Sequence, residues 1–98
     1  LDDRKKKVLQ AIVEEYINTA EPVSSNALTN NYGLNYSSAT IRNEMAELEK
    51  IGFLEKTQLQ VGRIPSQKGY RYYVDELLRE DALSRKEMEM IKEMLETK

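Results

Sequence analysis

The chain contains neither cysteine nor histidine. That double absence removes thiolate nucleophiles, Ser-His-Asp triads, thiolate or imidazole metal sites and disulfide staples. No apolar run approaches the roughly 18 residues of a membrane-spanning helix. There is no glycine-rich phosphate loop, and the many carboxylates mark no evident pocket, so no catalytic constellation survives. The sequence reads as a non-enzyme that needs neither cofactor nor metal. Its opening stretch, Leu1-Asp2-Asp3-Arg4-Lys5-Lys6-Lys7, leads into an amphipathic pattern rather than an unbroken apolar segment. No secretory signal is read there, no membrane partner is implied, and the cytoplasm is the expected location.

What remains is 98 residues, 40% apolar and 33% charged, enough for one small soluble domain and too apolar for wholesale disorder. A chain of this size buries about 60–65% of its unfolded surface, which leaves no room for a second core. The net charge of −2 argues, taken alone, against a nucleic-acid partner. Counting by segment reverses that inference. Between Lys56 and Val74 lie four cations (Lys56, Arg63, Lys68 and Arg71) and no acid, whereas seven of the 17 acidic residues fall from Glu76 onward. The field is therefore dipolar. Arg4, Lys5, Lys6 and Lys7 form a second basic run, readable either as a backbone contact or as a solvated helix start.

Hydrophobic spacing predicts the elements. Val8, Leu9, Ile12, Val13, Tyr16 and Ile17 make one helical stripe, ending near Asn18. Pro22 interrupts, Ser24 or Ser25 offers an N-cap, and a short second helix follows to Asn31 with Ala27, Leu28 and Tyr32 inward, stopping at Gly33. Ser37 and Ser38 cap a third helix, Ala39 to Ile51, which closes on Gly52. Its wheel puts Ile41, Met45 and Leu48 on one face and Ala39, Asn43, Ala46 and Lys50 on the other, with Thr40 and Arg42 flanking. Phe53 to Leu59 and Val61 to Ile64 read as a β-hairpin. Ser66 caps a fourth helix with Tyr70, Tyr73, Val74, Leu77 and Leu78 inward. Ser84-Arg85-Lys86-Glu87 fits a capping box that opens a last helix with Met88, Ile91, Met94 and Leu95 at helical spacing.

This order predicts a mainly α fold with a small β-hairpin: a winged helix-turn-helix followed by a C-terminal helical extension. In that layout the third helix enters a DNA major groove and the hairpin meets the backbone. Ala39 and Ala46 permit close approach, Arg42 and Asn43 suit guanine and adenine edges, and Ser37, Ser38 and Thr40 can donate to phosphates at the helix start. The alternative for Arg42 is an ion pair with Glu47 or Glu49 on an ordinary solvated helix. Lys50, Lys56, Gly62, Arg63, Lys68 and Arg71 complete the expected DNA-binding set. Tyr70, Tyr72 and Tyr73 could suggest a stacking platform, but Tyr70 and Tyr73 share the core stripe. The rival reading is a winged-helix protein-protein interaction module without DNA readout, docking through its last helix.

Four strings carry a resemblance: Glu21-Pro22-Val23-Ser24-Ser25, Tyr32-Gly33-Leu34, Ser38-Ala39-Thr40-Ile41-Arg42-Asn43-Glu44-Met45-Ala46-Glu47-Leu48-Glu49, and Gly62-Arg63-Ile64-Pro65-Ser66-Gln67-Lys68-Gly69-Tyr70-Arg71-Tyr72-Tyr73-Val74-Asp75. Over roughly residues 3–78 the chain resembles the N-terminal domain of the bacterial heat-inducible transcription repressors, the HrcA family. The resemblance implies a heat-shock repressor of chaperone operons that binds a double-stranded inverted-repeat operator as a homodimer and is kept active by the chaperonin GroEL. It further implies that residues 1–79 are the DNA-binding domain and 80–98 a linker and the start of a connecting helix, with dimerisation residing in regions outside this chain. The family pattern has Gly-Ser-Arg where Ser24-Ser25-Asn26 stand, often Pro at Ser38, and a His-Thr-Ser-Ala-like stretch where the wing runs Thr57-Gln58-Leu59-Gln60-Val61. A cation of the second helix is thus missing, while the third-helix motif is intact.

Overall fold

In the computed structural model, which describes residues 1–58 and 61–96, helix α1 spans Asp3–Thr19. Asp2 starts it by accepting from the Lys5 N–H at 2.8 Å. That bond satisfies an otherwise orphaned donor and holds the Asp2 carboxyl below its ordinary range. The helix ends at Ala20, which adopts a left-handed φ of 56° and donates its N–H to Tyr16 O. Val8, Leu9, Ile12 and Val13 are buried as the stripe predicts, and Ala11 is buried beside them. Ile17 is not: it is 57% exposed. Tyr16 takes the inward place in the last turn, edge-on to Tyr70 at 6.4 Å, which leaves the next residue facing out.

Helix α2, Ser25–Ala27, is capped by Ser24 Oγ on the Ala27 N–H and continues through a π-helical turn, Leu28–Tyr32, to Gly33 at φ +79°. Leu28 is buried and Ala27 partly so, but Tyr32 is exposed, contrary to the expectation. Bonding five residues back packs more residues into the turn, so a 100° wheel misplaces its last member. Tyr32 instead reaches Glu14 of α1 with its hydroxyl. Helix α3, Ser38–Lys50, is capped by Ser37, whose Oγ accepts from the Thr40 N–H at 3.1 Å. It turns Ile41, Met45 and Leu48 into the core against α1.

The wing pairs β1, Leu54–Lys56, antiparallel to β2, Arg63–Pro65, in the register Leu54↔Pro65, Glu55↔Ile64, Lys56↔Arg63. These strands are shorter than the sequence suggests, and Leu59, assigned to the first of them, lies outside the described residues. A third member was not foreseen: Val23 bridges Arg63 through two backbone hydrogen bonds of 2.8 and 2.9 Å. This lashes the entry of α2 to the wing. Gly62, at φ +76°, makes the approach possible, because a Cβ there would lie 2.9 Å from Val23 O.

Helix α4, Gln67–Tyr72, is capped by Ser66, passes through a second π-helical turn, Tyr73–Leu77, and continues as α5, Leu78–Glu96. Gly69 lets α4 sit on the wing, since a Cβ there would come within 2.2 Å of Phe53 O. Tyr73 and Leu77 join the core, whereas Val74 and Leu78, expected inward, are exposed. The wide turn again shifts the face away from the regular wheel. No new helix starts at Ser84: the backbone is helical without a break from Gln67 to Glu96, so the predicted capping box is simply mid-helix sequence. The core thus joins α1, α2, α3, the wing and the start of the last long helix, a winged helix-turn-helix with a helical extension.

Candidate nucleic-acid interface

The outer side of α3 is small and polar. Ala39, Arg42, Asn43, Ala46 and Lys50 are exposed together, opposite the buried Ile41, Met45 and Leu48. At its N-terminus Ser37 is occupied with the cap, bonding both the N–H and the hydroxyl of Thr40. The intrahelical ladder begins at Ile41 N, so the N–H groups of Ser38 and Ala39 open out of the helix end, where the macrodipole favours an anion.

Helix α3 also carries Glu44, Glu47 and Glu49, and the fold disposes of each. Lys5 of α1 reaches Glu47 Oε2 at 2.5 Å and Glu44 Oε2 at 3.3 Å, the latter a contact of charges without hydrogen-bond alignment. Glu47 first, then Glu44, push the Lys5 ammonium above its ordinary value. Arg63 of the wing donates from Nε to Glu49 Oε1 at 2.7 Å. With Glu47 and Glu49 so engaged, Arg42 forms no ion pair among the described residues, so the expected alternative of a pair with Glu47 or Glu49 is not formed. Neither reading of the basic run Arg4–Lys7 foresaw this: Arg4 lies 5.9 Å from the Tyr36 ring centroid, Lys5 neutralises α3, and Lys6 pairs with Glu80 at 3.3 Å.

Ser24, Ser25, Arg42, Met45, Gly62 and Arg63 line one cleft of about 270 Å³, formed by the start of α2, the middle of α3 and the wing. The fold therefore brings Arg42, Gly62 and Arg63 together from positions 20 residues apart in sequence. Gly62 serves the close approach to Val23, and Arg63 holds Glu49 and the Gly62 carbonyl at 3.0 Å, so both are tied into the scaffold of the cleft. Lys68 does not line it. Its Nζ donates to Ile51 O at 3.0 Å and sits 4.9 Å from the Phe53 ring centroid, a cation at the negative end of α3. Lys56 is exposed at the end of β1. Arg71 is exposed on α4 and lines a different hollow, with Phe53, Lys68, Tyr72, Asp75 and Glu76.

The tyrosines are structural. Tyr73 is buried with its hydroxyl on Glu14 at 3.1 Å, Tyr72 packs on Phe53 at 5.2 Å between ring centroids, and burial pushes the Tyr70 hydroxyl above its ordinary value. Ser24 and Ser25, which the sequence offers only as caps, stand in the cleft beside Arg42. Among the described residues no cluster of acids could hold a metal ion, and no helix is long and apolar enough to cross a membrane.

No family model matches the chain. Curated relatives do: it is 56% identical over all 98 residues to the heat-inducible transcription repressor HrcA of Pelotomaculum thermopropionicum, and 54% to that of Carboxydothermus hydrogenoformans, covering 28% and 29% of those proteins. The HrcA of Thermoanaerobacter sp. is 58% identical over 79 residues. A crystal structure described only as a hypothetical protein superimposes with a TM-score of 0.75 at 46% identity, covering 81% of this chain and 24% of that one. The chain spans little more than a quarter of the length of the relatives it matches. With more than half of its residues identical along its full length, it belongs to the HrcA family of heat-inducible transcription repressors.

Proposed function

We propose that this chain binds double-stranded DNA sequence-specifically, as the reading domain of a heat-shock transcription repressor. One observation carries the reading: the outer face of α3 is bare of free acids, because Lys5 and Arg63 hold Glu44, Glu47 and Glu49, while Arg42, Asn43 and Lys50 stay exposed on it. Arg42 and Asn43 read base edges, and Ala39 and Ala46 allow the close approach. Ser38, Thr40 and the open N–H groups at the start of α3 meet phosphate, with Ser37 setting that end by its cap. Lys50, Lys56 and Arg71 add non-specific attraction. Gly62, Arg63 and Lys68 act by fixing the wing against α3.

In this reading residues 1–79 recognise DNA and 80–98 connect to the remainder of a longer cytoplasmic repressor. Its partners are an inverted-repeat operator of a chaperone operon, a second copy of the repressor and the chaperonin GroEL. It acts by occupying DNA, not by catalysis. Fluorescence anisotropy with an inverted-repeat duplex and a scrambled duplex tests this. Preference for the former that Arg42→Ala removes is the expected result. Equal affinity for both duplexes, unchanged in the variant, overturns it.

A further inference from the structure

Helix α1 packs against both π-helical turns, and half-buried Glu14 stands between them. Its two carboxylate oxygens are divided between the two. Oε1 accepts from the hydroxyl of Tyr32, the last residue of the turn that follows α2, while Oε2 accepts at 3.1 Å from the hydroxyl of Tyr73, the first residue of the turn that becomes α5. Gln10, one turn earlier on α1, donates from Nε2 to the same Oε2 at 3.3 Å and braces the carboxylate from its own helix. No cation pairs with Glu14 among the described residues. Hydroxyl and amide donors alone hold it, in bonds that a carboxylate acceptor strengthens.

Each phenol sits at a point of mechanical consequence. Tyr32 precedes Gly33 and Leu34, whose N–H groups close the turn on Leu28 O, that of Leu34 at 3.0 Å. Residues 33–36 then lead directly to Ser37, the cap of α3. With so short a lead, the place of Tyr32 helps to set where α3 begins. Tyr73 is 7% exposed and belongs to a helix unbroken from Gln67 to Glu96, so its hydroxyl follows a tilt of α5 about its root. The other tie of that root to α1, Lys6 to Glu80 at 3.3 Å, is an exposed ion pair of the kind that contributes little.

We propose that Glu14 is a positioning residue that couples the root of α5 to the turn feeding α3, passing a shift of Tyr73 to Tyr32 through one carboxylate. As a coupling between two sites it runs both ways. Where α3 meets DNA as proposed above, whatever bears on α5 in a longer repressor then alters the start of the reading helix. Only that consequence rests on the DNA-binding reading. The coupling is a property of the free chain.

Amide hydrogen exchange of the chain without DNA tests it. Tyr73→Phe removes one hydroxyl and keeps the ring. It is expected to speed exchange at Gly33, Leu34 and Thr40 roughly fivefold, the size of one hydrogen bond, and to leave Arg63 and Ser66, bonded in the wing, within about twofold. Tyr32→Phe is expected to act in reverse on Leu78, whose N–H donates to Tyr73 O. In Glu14→Met, similar in length but without an oxygen acceptor, adding Tyr73→Phe should change nothing further at Leu34. Uniform acceleration that includes Arg63 and Ser66 overturns the proposal, because Tyr73 then serves overall stability alone. An unmoved Leu34 in Tyr73→Phe, or an acceleration there that survives in Glu14→Met, overturns it as well.

Discussion

Helix α3 buries Ile41, Met45 and Leu48 and turns a small polar face to solvent, whereas α5 turns Met88, Met90, Ile91, Met94 and Leu95 to solvent and packs mainly on the turn it continues. The two helices are similar in polar and apolar content. What separates them is where the apolar stripe finds a partner. On α3 the stripe is satisfied within the fold, which leaves Arg42 and the open helix end exposed on the side proposed to meet DNA. On α5 the apolar residues lie exposed. The charges follow the same division. The acids of α3 are held by Lys5 and Arg63, while Glu87 and Lys92 of α5 are exposed.

The difference is best broken at equivalent isoleucines. Ile41→Ala opens a cavity among fully buried neighbours and is expected to cost about 2–5 kcal/mol of stability. Ile91→Ala, on an exposed face, is expected to change monomer stability by less than about 0.5 kcal/mol. Denaturant unfolding measures both, and similar losses would show that α5 is packed. Next comes recognition: Arg42→Ala should lose about 1–3 kcal/mol of specific binding, read by anisotropy as a smaller gap between operator and scrambled duplex. Lys92→Glu on α5 should leave half-site affinity unchanged. Lys50→Ala is expected to weaken all duplexes alike and to lower the slope of log K against log salt by about one.

The smallest effect is at the start of α1. The folded pKa of Asp2 is lowered from 3.8, so its cap stabilises the helix above that pH and is lost as pH falls through the lowered value. Asp2→Asn keeps an oxygen acceptor and should flatten this part of the acid unfolding curve, measured by circular dichroism against pH.

Much of this was legible in the sequence. The element order, the serine caps at positions 37 and 66, and the inward set Ile41, Met45 and Leu48 follow from spacing and capping chemistry, which are local. Apart from Ile17, displaced by Tyr16 at the end of the regular α1, the misplacements share one cause. Tyr32, Val74 and Leu78 sit in or just beyond π-helical turns, where the regular 100° step no longer applies. The Val23 bridge and the closure of Gly62 on it are contacts over some 40 residues that no local pattern signals. For the candidate interface, the residue types of α3 could be named from its wheel. That Arg42 escapes Glu47 and Glu49 could not, because the cations that take those acids come from α1 and the wing. Ser84-Arg85-Lys86-Glu87 shows the converse: a capping box in a sequence does not start a helix where the chain is helical already.

The most direct test of the claim that α3 and the wing, and not α5, meet DNA is an amide chemical-shift titration of the chain with the inverted-repeat duplex. Perturbations are predicted along Ala39 to Ala46, at Ser24 and Ser25, and through the wing at Lys56, Gly62 and Arg63. Shifts confined to Met88 through Leu95, with α3 unmoved, would contradict the account.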